Sequence, residues 1–146
     1  MLDLRTIALV ILSALLGVIV MWSVLYLIGD VGGTIVTTIV QSKPEPWLRQ
    51  YFSIVYYGIQ LFGWLPPLVI CAAIIREFAG ARAGLCGLVA GLFGIVFLFA
   101  ISNLAAIQSG GTDKGMLDFA LDHWGRVLLL LLVLPLMCTF RFRHVA

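Results

Sequence analysis

Few side chains in this 146-residue sequence could do chemistry. The thiols are Cys71, Cys86 and Cys138, and the imidazoles are His123 and His144. No two cysteines stand in a C-x-x-C arrangement, and each falls inside an apolar run. That spacing suits neither a zinc site nor a redox pair. The three read as small buried hydrophobes, the usual behaviour of a free cysteine. The histidines flank opposite ends of the last apolar run, too far apart along a helix to ligate one haem together. The apolar cores carry no Asp, Glu, Lys, Arg or His. Charges at membrane depth are costly and mark ion paths and proton relays, so the sequence lacks the groups of a proton-coupled carrier.

What remains is thin: Ser13, Ser23, Gln60, Ser102 and Asn103. Gln60 and Trp64 lie just before Pro66-Pro67, where the missing amide and the ring clash predict a bent or broken helix. Broken helices at mid-membrane can expose backbone groups to a substrate. A kink whose backbone is re-satisfied by neighbours is the plainer alternative. Gln60, Trp64, Pro66, Pro67 and Asn103 form the candidate polar or kink site. No catalytic residue, metal ligand or cofactor is expected, and the chain reads as a non-enzyme.

The elements that must position these residues follow from composition. Hydrophobic residues make up 62% of the chain and charged ones 11%, against roughly 45–50% and about 25% in soluble domains. A chain of this size has too much surface for its volume to hide so much apolar side chain from water. The fold class is therefore an all-α integral membrane protein. The net charge of +2 is small and dispersed, which argues against nucleic acid.

Four runs could span as helices: 6–28, 52–75, 84–107 and 124–140, in one membrane domain covering 1–146. Twenty residues at 1.5 Å each cross the roughly 30 Å hydrocarbon core. The first run is too long, and its flank too weakly basic, for a signal peptide. The last is the shortest and relies on Arg126 and Arg141 snorkelling to the interfaces. Arg5, Arg76, Arg82, Arg141 and Arg143 share one side, and Lys43, Arg49, Lys114 and Arg126 the other. The positive-inside rule then places both termini in the cytoplasm, in a plasma membrane of the bacterial inner-membrane kind.

The short Arg76–Ala83 connection makes the second and third spans antiparallel neighbours. Between the first two spans, Thr34 to Val40 is β-branched, which favours extended structure or stiff packing over free coil. Whether 31–41 extends the first helix, lies on the surface or forms an extended piece stays open at this level. Before the last span, Thr112 is a plausible N-cap. Leu117, Ala120, Leu121 and Trp124 follow at helical spacing opposite Lys114, Asp118 and Asp122, the pattern of a short interfacial helix.

The sharpest packing signal is Gly80, Gly84, Gly87, Gly91 and Gly94, recurring every three or four residues. Without a hydrophobic drive between helices in lipid, close backbone approach holds them together. The stripe could meet another span of the same chain, a second copy, a partner subunit or a flat ligand. Trp47, Tyr51, Phe52, Tyr56 and Tyr57 read as an interfacial aromatic belt, or else as contacts for a quinone, pigment or lipid headgroup.

Three function classes compete. The favoured one is a small non-catalytic membrane subunit that supports a larger membrane complex, with lipid and that complex (or a homo-oligomer) as partners. The alternative is a small transporter or channel active as an oligomer. A redox or lipid-modifying enzyme comes last, because it would need a thiol pair, a haem-ligating histidine pair or a carboxylate cluster.

Overall fold

The computed structural model describes residues 3–111 and 115–139 of the chain. Among them every element is helical, and no strand occurs. The order is α1 (Leu4–Tyr26), a π-helical stretch (Leu27–Gly32), α2 (Gly33–Ser42), α3 (Glu45–Ala79), a 3-10 turn (Gly80–Arg82), α4 (Ala83–Gln108), α5 (Met116–Asp122), α6 (Trp124–Leu128), a second π stretch (Leu129–Val133) and α7 (Leu134–Thr139).

The first helical run is longer than the sequence suggests. α1, the π stretch and α2 form one 39-residue helix from Leu4 to Ser42, about 58 Å long at 1.5 Å per residue. The β-branched run 34–40 thus extends the first helix. Thr34, Thr37 and Thr38 each donate their hydroxyl to the carbonyl four residues back, at 2.7, 2.9 and 2.9 Å. Those bonds satisfy the hydroxyls locally. The helix stops at Lys43, which is extended before Pro44, as the residue before a proline prefers.

α3 begins with Pro46 in its first turn and runs 35 residues. Pro66 and Pro67 lie inside it, so of the bend or break expected there the helix shows no break. The lost amides are those that would have bonded the Phe62 and Gly63 carbonyls; neighbouring helices hold the segment helical. At its far end Gly80 takes φ 52° and ψ −117°, a conformation a Cβ would strain. The chain reverses there.

Close approaches fix how the helices run. Gly17 on α1 lies against Ala90 on α4, and Met21 against Gly94, so α1 and α4 are parallel. Ile28 lies against Gly63 and Gly32 against Ile59, so α3 is antiparallel to both. Leu130 faces Gly91, and Cys138 faces Gly87, which sets the last helix antiparallel to α4. The core between them holds Met21, Val24, Leu68, Ala90, Leu130 and Leu134. At one end the Arg82 guanidinium donates to Thr6 Oγ1 at 2.7 Å. At the other, α5 meets the final helix at 93°, and buried Phe119 stands edge-on to Phe99 with ring centroids 5.4 Å apart.

Two helical runs, Leu4–Ser42 and Glu45–Gln108, are long and apolar enough to cross a membrane, and the bent pair Met116–Asp122 with Trp124–Thr139 adds a third. The proposed N-cap Thr112, its neighbours Asp113 and Lys114, and the terminal Phe140, Arg141, Arg143 and His144 lie outside the described residues.

Candidate functional site

Gly84, Gly87, Gly91 and Gly94 sit where side chains would collide. A Cβ on Gly91 would lie 2.2 Å from the Leu130 carbonyl oxygen, and one on Gly87 2.8 Å from Cys138 Sγ. On Gly84 it would lie 2.9 Å from Thr139 Cγ2, and on Gly94 3.1 Å from Met21 Cγ. The stripe thus meets both the last helix and α1 of its own chain. Gly80 is different. A Cβ there would meet nothing within 4 Å, so its role is the turn and not packing. One close approach lacks any period in sequence: a Cβ on Gly17 would fall 2.0 Å from the Ala90 carbonyl oxygen.

The polar candidates divide into three places. Gln60 and Trp64 face a groove between α3 and the α6–α7 segment, about 1,100 Å³ in volume and open along its length. Pro66 and Pro67 line a separate cleft of about 220 Å³ against α1, walled by Val20, Ile70 and Cys71. Asn103 is half-buried on α4 and lines neither. The helical period explains the division, since positions 60, 64 and 68 share one face of α3 while 66 and 70 look elsewhere.

The groove has a polar end and an apolar end. Tyr56, Tyr57, Gln60, Asp122, His123 and Arg126 cluster at one end. Leu61, Leu65, Leu68, Val133 and Met137 continue the walls away from them. Trp64 forms the buried floor, 6% exposed. The bend at His123 builds the polar end. His123 stacks on Phe119 with centroids 4.5 Å apart, and its Nδ1 lies 3.1 Å from the Phe119 carbonyl oxygen. Its Nε2 has no hydrogen-bond partner among the described residues. Arg126 likewise has neither a hydrogen bond nor an ion pair among the described residues, while Asp122 is engaged in an interaction of its own.

The three cysteines are buried and free. Among the described residues no group of three or more His, Cys, Asp or Glu is placed to hold a metal ion. The groove is elongated, with a polar end and apolar walls.

His123, Trp124 and Arg126 were not among the residues singled out for a site in the sequence. The signal was present as the polar end of an amphipathic segment, but only the 93° bend turns it toward α3. The fold and site define a small all-helical protein whose helices are long and apolar enough for a bilayer. Compared with protein-family models, with curated proteins and with solved structures, the chain matches none.

Proposed function

We propose that the chain crosses the membrane four times, with both termini in the cytoplasm, and serves as a small non-catalytic subunit of a larger complex in a bacterial inner membrane. Bilayer placement follows from the two ends of the bundle. From Arg82 to Phe99 along α4 is seventeen residues, about 26 Å at 1.5 Å each, close to the roughly 30 Å hydrocarbon core. One interface then runs past Thr6 and Arg82, and the other past Asp30, α5 and Arg126. Crossings by α1, α3, α4 and the last helix follow from that frame.

The observation that carries the subunit reading is what stands beyond it. Residues 31–58 continue as a two-helix arm reaching about 18 Å past Asp30, twelve residues at 1.5 Å each. Large apolar side chains stand out on it: Ile35, Val40, Phe52 and Ile54 are exposed, Ile54 by 68%. Charged groups are confined to the tip, where Arg49 pairs with Glu45 and Lys43 sits over the Trp47 ring, and the exposed hydroxyls of Thr34, Thr37 and Thr38 bond within the helix. Large contiguous apolar patches on a protein surface mark interaction sites, and aromatic anchors of this kind dominate interface energetics. The transporter alternative drew its support from a break at Pro66-Pro67, and α3 runs through both.

Solubilisation in mild detergent tests the proposal. The chain should purify with a larger membrane protein in fixed ratio, and Ile54→Glu with Phe52→Glu should release it without unfolding the four-helix body. A chain that purifies alone, or only with copies of itself, contradicts the subunit reading.

A further inference from the structure

We infer that the groove between α3 and α6–α7 is a binding site for an anionic phospholipid, its phosphate held at Arg126 and His123 and one acyl chain lying along Trp64 toward Met137. This rests on the membrane reading above and not on the subunit reading.

The dimensions fit one leaflet. From Arg126 to Met137 is eleven residues, about 16 Å of helix, against about 15 Å for half of a roughly 30 Å hydrocarbon core. The polar end stands at the interface, where α5 turns across the bundle, and the apolar walls run inward from it. That is the sense in which a lipid enters a bilayer. A volume of about 1,100 Å³ exceeds the upper end of ordinary small-molecule pockets, and the groove opens laterally, so a chain can enter from the membrane without crossing water.

Charge selects the headgroup. Arg126 is a cation without an ion pair among the described residues, and His123, whose Nδ1 faces the Phe119 carbonyl, lines the groove beside it. Tyr56, Tyr57 and Gln60 face the same end and can donate to phosphate or glycerol oxygens. Among the described residues Asp122 is the one acid lining the groove, and it already has an interaction of its own. A guanidinium suits bidentate phosphate recognition. A second helix laid in the groove would leave Arg126 buried against apolar side chains. A quinone would leave its charge unanswered.

Native mass spectrometry of the delipidated chain, purified alone and titrated with phosphatidylglycerol or phosphatidylcholine, is the test. Wild type should retain phosphatidylglycerol about tenfold better, the scale of one charge-assisted contact. Arg126→Gln should bring the two lipids to parity. Leu65→Trp, placed at an exposed position on the groove wall, should lower retention of both lipids while keeping their ratio. Melting curves on each variant establish that the bundle is intact. Parity in the wild type, an anionic preference that survives Arg126→Gln, tighter retention of a short-chain quinone, or lipid-free dimers that occupy the groove would each overturn the assignment. Because no partner protein is present, failure here leaves the subunit proposal standing.

Discussion

Replacing Gly91 by alanine adds a single methyl group, and the structure gives that methyl nowhere to go. It would lie 2.2 Å from the Leu130 oxygen and 2.9 Å from the Leu130 carbonyl carbon. Both are backbone atoms of the facing helix, so no rotamer change relieves the clash. The helices must separate by about 1 Å, which also loosens the neighbouring approach of Gly87 to Cys138. Overpacking of this kind costs about 1–3 kcal/mol, against which alanine returns up to about 1 kcal/mol of helix propensity. A 2.2 Å approach to a backbone atom puts the cost at the upper end of that range, so the net expectation is a loss of about 2 kcal/mol. Gly33→Ala is the matched control: Gly33 is helical, and a Cβ there meets nothing within 4 Å. It should be neutral or stabilise by up to about 1 kcal/mol. Both variants can be followed by SDS titration in mixed micelles. Equal stability of Gly91→Ala and wild type, or equal losses for both variants, would refute the claim that the stripe is an internal contact.

The remaining expectations are simpler. Cys71, Cys86 and Cys138 are buried, so a bulky maleimide should leave all three unlabelled in the folded protein and react with them in SDS. Labelling of any of them in the native state at the rate of an exposed thiol counts against the packing described. In a cysteine-free background, an impermeant thiol reagent added from outside should reach Ser109→Cys and not Ala81→Cys; the opposite pattern reverses the topology. Thr6→Val removes the acceptor for Arg82 at an exposed position, where such contacts are worth at most about 1 kcal/mol. A larger loss in SDS titration would mean that this contact closes the bundle end more firmly than its exposure allows.

Much of the architecture was legible in the sequence because apolar length and composition dictate it. The helical state of 34–40 was not, since β-branched residues lean toward strands in isolation. Here the helix continues because Gly32 and Ile28 pack against α3, and three threonine hydroxyls bond within the helix. The glycine period ran on into Gly80, which the Arg76–Ala83 connection also contains, and spacing alone could not say which role it plays because it carries no φ. Gly17 gave no signal, since a lone glycine makes no pattern. At Pro66-Pro67 local chemistry allowed either a bend or a break, and only the packed neighbours decide that the helix continues. The groove could not be read at all from spacing, because its polar end comes from a bend at His123 that brings two distant segments face to face.

The central claim is that the arm of residues 31–58 is covered by a larger membrane protein. A photo-crosslinking residue placed at Ile54 or Val40 in cells tests it most directly, with Leu85, as exposed as Ile54 but at the opposite end of the bundle, as the reference position. The account predicts that both arm positions join the same larger polypeptide in high yield, and that Leu85 does not. Crosslinks only to lipid, only to a second copy of this chain, or equally from all three positions would contradict it.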